Sequence, residues 1–226
     1  MRKKLIIQEL AIVVVGKNHN PTILNPDFLK SNGIVPDEWQ LAVSPVCVDP
    51  LAQVIFQNGL SIVAQFDKVI FSEPFSVGTV DPVETPRIAR EYLETLPHVD
   101  YRAIGINPKG HVVFDDEGAP VRFLTANFLA PGPWHKFGNA PVKSAVKLVY
   151  TLDKAELNLT VDPATLESEG KRSPVLLFSG NFHRNLSGDT KDERHRRALE
   201  VIDNWKADLD TFQTLINERI LKQELE

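Results

Sequence analysis

A single cysteine, Cys47, is all the thiol this chain carries, so it can close no disulfide within itself. That fits a reducing compartment. Positive charge is scarce too: 25 Lys and Arg face 30 Asp and Glu, a formal net charge of −5 at pH 7. An acidic balance gives no electrostatic footprint for a phosphate backbone, which argues against nucleic acid as a partner. Long apolar runs are missing as well. Gln8 and Glu9 interrupt the stretch that opens with Leu5-Ile6-Ile7, and Leu10 to Val15 is too short for a signal core or a membrane span. We therefore expect a buried strand there, a cytoplasmic protein and no membrane partner.

Catalytic signatures are also lacking. The sequence contains no G-x-G-x-x-G, Walker loop, H-E-x-x-H, G-x-S-x-G or C-x-x-C. Its 6 histidines, at 19, 98, 111, 135, 183 and 195, include no pair two or four residues apart. A metal site would need distant segments, so neither a metal nor a cofactor is expected. No carboxylate pair suggests acid–base work; Glu73 and Asp100 stand out only by location. Cys47 sits between Val46 and Val48 and reads as a buried strand thiol.

What is present is a chain of 226 residues, 42% hydrophobic and 24% charged, able to bury a sizeable core. Leu5 to Val15 reads as a strand. Asn25-Pro26 opens a short helix and Gly33 closes it. Trp39 to Val48 reads as a strand interrupted at Pro45. Leu51 to Glu73 is a three-strand meander whose register follows from its pattern. A two-residue Asn58-Gly59 turn would leave both faces mixed. A three-residue loop, Gln57-Asn58-Gly59, pairs Phe56 with Leu60, Val54 with Ile62 and Ala52 with Ala64, so one face becomes wholly apolar. A slip of one residue flips every side chain, so the longer loop wins, with Gly59 as its left-handed residue.

After a proline-rich connector, Thr85-Pro86 caps a helix with Ile88, Ala89, Tyr92, Leu93 and Leu96 as its buried stripe. Val99 to Ile106 is a strand, Asn107-Pro108-Lys109-Gly110 a type I turn, and His111 to Phe114 the returning partner. Val121 to Leu129 reads equally as helix or strand. Pro131 to Pro141 is a loop holding Trp134, His135 and Phe137. Val142 to Thr151 and Ala155 to Val161 form a hairpin around Asp153-Lys154, and Pro174 to Phe182 is a further strand. Ser187 to Glu226 then reads as one long amphipathic helix. Thr190 and Glu193 stand at capping-box spacing, and Ile202, Trp205, Leu209, Phe212, Ile216 and Ile220 lie on its stripe. Four of these, Ile202 to Phe212, are expected to cover the chain's own sheet, leaving the end beyond Ile216 for a partner.

The expected fold class is α+β: an antiparallel sheet with helices on one face. The order of elements suggests two β-α-β(n)-α halves, 1–97 and 98–226, in one compact unit of TATA-binding-protein-like topology. No sequence identity links the halves. Candidate ligand residues are Asn18, His19 and Asn20 in a polar loop after the first strand, Trp134 and His135 in the second loop, and His183 at a strand end. Arg194, His195, Arg196 and Arg197 read as a solvated helix face among acids.

The Trp39 segment, Gln57-Asn58-Gly59, Tyr101-Arg102-Ala103-Ile104-Gly105-Ile106-Asn107 and Phe212-Gln213-Thr214-Leu215-Ile216-Asn217-Glu218 together resemble a sporadically distributed family of uncharacterised bacterial proteins of similar length. The resemblance implies a bacterial cytoplasmic protein. It brings no activity and no catalytic residues, and the Pro131–Pro141 loop has no counterpart in it. The expected function is therefore a non-enzymatic binding or assembly module that forms a homo-oligomer. The alternative is a small-molecule pocket between the sheet and the 18–21 and 131–141 loops, which requires those loops to converge.

Overall fold

The computed structural model describes residues 3–75, 83–140, 142–168 and 170–222. Most of the proline-rich connector, Pro141 and the last residues of the C-terminal segment lie outside these. The described residues form one nine-stranded sheet in which every pairing is antiparallel, with five α-helices. The strands are β1 (Ile6–Lys17), β2 (Val46–Val48), β3 (Leu51–Ile55), β4 (Ser61–Ala64), β5 (Lys68–Pro74), β6 (Asp100–Val113), β7 (Val146–Thr151), β8 (Glu156–Ser168) and β9 (Lys171–Asn185). The helices are α1 (Pro26–Ser31), α2 (Thr85–Thr95), α3 (Ala119–Phe128), α4 (Lys191–Asp203) and α5 (Trp205–Thr214). The spatial order is β2-β3-β4-β5-β1-β6-β9-β8-β7.

Alternation decides which face is covered. Leu10, Ile12 and Val14 of β1, Val69 and Phe71 of β5, Ile104 and Ile106 of β6, and Phe178 and Phe182 of β9 are buried on one side. Tyr92 of α2 packs edge-on against Phe71 and Phe28 there. Phe212 of α5 lies so close to Gly180 of β9 that a Cβ on that glycine would meet its ring at 2.9 Å. Leu124 of α3 joins the same core cluster. The helices thus share one face.

The meander has the register its apolar pattern requires: Ala52 pairs with Ala64 and Val54 with Ile62. Phe56 N–H donates to the Leu60 carbonyl at 2.9 Å, and Gly59 sits at φ 92°. Asn25 caps α1 through Phe28 N–H, and the Thr190–Glu193 capping box closes the start of α4. Val121–Leu129 resolves as helix over most of its length, within α3.

Several expectations are corrected. The Asn107–Gly110 turn does not form; β6 runs 14 residues without reversing. Asn107, Pro108, Lys109 and Gly110 pair with Ala11, Leu10, Glu9 and Ile7 of β1, and β9 keeps one register across the gap from Ile106↔Phe182 to Lys109↔Ser179. Pairing on both flanks outweighs the local turn chemistry of Asn-Pro-Lys-Gly. Between Trp39 and Val48 the strand shrinks to a bridge at Leu41 and the short β2. Cys47 is exposed on β2, at the sheet's edge, rather than buried. Thr85 is not the cap of α2. Glu73 Oε2, on β5, accepts from Glu84 N–H at 2.9 Å, Thr85 N–H at 3.0 Å and Thr85 Oγ1 at 3.1 Å, so a carboxylate answers the positive end of the helix.

The single long C-terminal helix is also corrected. Asn204, at φ −94° and ψ 13°, separates α4 from α5, and its Nδ2 donates to the Glu200 carbonyl at 2.7 Å. Asparagine competes with the backbone in this way and weakens a helix interior. The stripe survives the break: Ile202, Trp205, Leu209 and Phe212 are all buried. A π-helical turn over Leu215–Ile220 follows, with Ile216 and Ile220 buried as well. Asn217 Oδ1 accepts from Leu5 N–H at 2.9 Å, tying this segment to the start of β1. The stretch just past Ile216 therefore packs on its own chain.

Candidate functional site: the open face of the sheet

The face away from the helices carries three cross-strand rows that follow from the registers. Glu9, Lys109, Ser179, Thr160 and Lys147 form the first. The second begins with Ala11 and Asn107, passes to Asn181 beside it, and continues through Asn158 to Val149. Val13, Gly105, His183 and Glu156 form the third, ending at Thr151. A shallow concavity of about 640 Å³ lies over these rows, bordered by Ile70 on its apolar side.

The middle row is an asparagine ladder on β6, β9 and β8. Asparagine is depleted from strands because its carboxamide competes with the backbone. Gly105 makes room for the ladder: a Cβ there would stand 3.0 Å from Asn107 Oδ1 and 3.1 Å from Asn181 Oδ1. Asn107 Oδ1 is buried without a hydrogen-bond partner among the described residues. Asn158 Nδ2 donates to Glu156 Oε1 at 2.9 Å, and His183 Nε2 lies 3.2 Å from Asn185 Oδ1. The surface offers neutral donors and acceptors beside a few charges. Such groups suit the recognition of another polar surface.

His183 is the one sequence candidate that this face includes. His19 is consumed by the fold. Only 4% exposed, its Nδ1–H donates to the Gln65 carbonyl at 3.0 Å and its Nε2 accepts from the Tyr92 hydroxyl at 2.7 Å. A single neutral tautomer satisfies both bonds. Burial pulls the His19 pKa down against the opposing bond to Gln65, and burial pushes the Tyr92 phenol up. Asn18 takes a left-handed φ of 62°, and Asn20 caps the turn Pro21–Ile23 through Thr22 N–H. Both serve the chain reversal after β1.

The rings of Trp134 and His135 touch at 3.7 Å between centroids, tilted by 48°, and His135 borders a small apolar hollow against α3. The two candidate loops do not converge. The 18–21 loop follows Lys17, which pairs with Asp100. The 131–141 loop leads toward Val146, whose row runs through Val161, Phe178 and Gly110 to Ile7, at the opposite end of β1.

Of the Arg194–Arg197 run, Arg194 is not on a solvated face. It is buried, donates through Nε and Nη2 to Asp100 Oδ1 at 3.1 and 2.7 Å, and donates through Nη1 to the Gly188 carbonyl at 2.6 Å. Burial alone would raise the Asp100 pKa; hydrogen bonds from Arg194 and Arg102 outweigh it and hold the carboxyl below its ordinary value. His195 stacks on Tyr101, and its Nε2–H donates to the Leu93 carbonyl at 3.0 Å. A second cleft, about 840 Å³, opens between the β7–β8 turn, the end of β9 and α4–α5. Arg184 lines it and meets Asp208 through two bonds of 2.8 and 2.7 Å.

Asn107, Asn158 and Asn181 were missed by sequence reasoning. The signal available was asparagine at alternating strand positions, next to glycines 105 and 180. No group of three or more His, Cys, Asp or Glu is placed to hold a metal among the described residues, and no described helix is long and apolar enough to cross a membrane. Comparison with protein-family models, curated proteins and solved structures finds no match.

Proposed function

We propose that this protein is a non-enzymatic binding or assembly module that acts as a homo-oligomer, with the bare sheet face as its contact surface. The observation that carries the reading is the asparagine ladder beside Gly105, with Asn107 Oδ1 left without a partner among the described residues. Buried polar atoms are normally satisfied, and a missing partner is one explanation for an orphan. A second reading, a small polar ligand, now rests on the 640 Å³ concavity rather than on the two separated loops.

The same proposal includes a finer description of the fold. In the first half the order β2-β3-β4-β5-β1 puts the opening strand beside the last one and at the centre; β6-β9-β8-β7 repeats that arrangement. This supports two versions of one β-α-β(n)-α unit meeting at β1 and β6, a TATA-binding-protein-like topology. Topology alone implies no function, and the net charge of −5 favours a protein partner over nucleic acid. Bacterial origin, through the family resemblance, and a cytoplasmic, reducing location belong to the proposal as well. Size-exclusion chromatography with light scattering tests the assembly reading: a clean monomer over a wide concentration range counts against it.

A further inference from the structure

The two edges of the sheet differ in kind. β2 is three residues long and is bracketed by Pro45 and Pro50, which have no N–H to offer another strand. It exposes Val46 and Val48 but gives a partner little backbone to pair with. β7, at the other edge, has six residues, no proline and, among the described residues, only β8 beside it. Leu152 N–H donates to the Ala155 carbonyl at 2.8 Å, so position 152 turns its amide toward β8. Pairing alternates along an antiparallel strand. Lys147, Val149 and Thr151 therefore turn their N–H and C=O groups to the free edge. Val149 also leaves its side chain 55% exposed on the open face.

We infer that β7 pairs antiparallel with β7 of a second copy, with Val149 on the two-fold axis, joining both sheets into one. This rests on the homo-oligomer reading above and adds to the bare sheet face a contact between copies along the sheet's edge. Of the registers that put like faces together and bring edge-facing amides opposite each other, the two nearest the middle of β7 centre on Leu148 and Val149. Centred on Leu148, the strands leave Leu152 against Ser144. Centred on Val149, they match Leu148 with Tyr150 and Val146 with Leu152 on the helix side, so every contact there is apolar. On the open side Val149 covers Val149, and Lys147 meets Thr151 rather than another cation. That apolar row is only half-buried within one chain, as an edge awaiting a neighbour would be. An isologous contact of this kind closes as a dimer. It has one further consequence: Val149 shares its row with Asn158, so the asparagine ladders of the two copies become collinear across the axis.

The test uses the full chain in light scattering and cross-linking. The native protein is expected at twice the chain mass of 25.3 kDa. Val149→Asp sets two carboxylates opposite each other about 5.5 Å apart at Cα and should leave a folded monomer. Val149→Cys, in a Cys47→Ser background, should give a covalent dimer with a short bismaleimide cross-linker, because the two Cα atoms stand about 5.5 Å apart. This second variant decides the matter if Val149→Asp fails to fold. A native dimer that persists in folded Val149→Asp, or a Val149→Cys protein that does not cross-link while dimeric, overturns this interface and spares the assembly reading. A native monomer at every concentration overturns both.

Discussion

Arg184→Met isolates the buried ion pair beneath the larger cleft. The side chains of Arg184 and Asp208 are 17% and 8% exposed, and both carboxylate oxygens of Asp208 are met by the guanidinium. Removing the arginine strands a negative charge that water barely reaches, at a cost of about 3–5 kcal/mol. The residual exposure of Arg184 favours the lower end of that range. In a chain of this length about 1 kcal/mol moves Tm by roughly 2–4 °C, so the midpoint should fall by about 6–12 °C. The double variant Arg184→Met/Asp208→Leu removes both charges and should regain most of the loss, since well-packed apolar replacements of buried pairs are often neutral. Urea unfolding of the two single variants and the double variant gives the coupling energy directly. A loss below about 1 kcal/mol for Arg184→Met, or a double variant no better than the single, would refute the assignment of a desolvated, mutually dependent pair.

Glu73→Ala removes the carboxylate that answers Glu84 N–H, Thr85 N–H and Thr85 Oγ1, and should cost about 1–3 kcal/mol in urea unfolding, with protection of the α2 amides from hydrogen exchange reduced first. Gly59→Ala puts a Cβ 2.8 Å from Pro74 Cγ at φ 92°, so it should destabilise by about 1–3 kcal/mol; an unchanged midpoint would show that the loop relaxes freely. Burial depresses the pKa of His19 and His111 from 6.5, which means the unfolded chain binds their protons first. Their stabilising contribution is full above 6.5 and is lost as pH falls toward the lowered folded values, by at most about 1.4 kcal/mol per pH unit for each. His19→Gln should flatten that slope in pH-dependent denaturation.

The meander was legible because its information is local and of period two: Ala52, Val54, Phe56, Leu60, Ile62 and Ala64 make sense in one register only. Asn107–Gly110 was illegible for the opposite reason. Its turn chemistry is local, while the strand it joins is set by β1 and β9, far away in the chain. His19 looked like a loop ligand because its partners, Gln65 and Tyr92, lie 46 and 73 residues on. Arg194 looked solvated among its helical neighbours because Asp100 is 94 residues away. The candidate site suffers the same limit: Asn107, Asn181 and Asn158 become a ladder only through pairing, and no short window contains two of them.

The central position of β1 sets the order in which the sheet can be completed. Of the strands, β1 is synthesised first, yet its two neighbours are β5, which begins at Lys68, and β6, which begins at Asp100. Neither of its flanks can be satisfied by the next strand to emerge. The meander can zip β3, β4 and β5 by short-range contacts while Leu10, Ile12 and Val14 wait. The seam to β6 closes only after α2 has been made. Such non-local pairing is slow, and unpaired apolar edges are open to wrong partners in the meantime. The strand that ends at the centre of the sheet is thus the one a nascent chain must shelter longest.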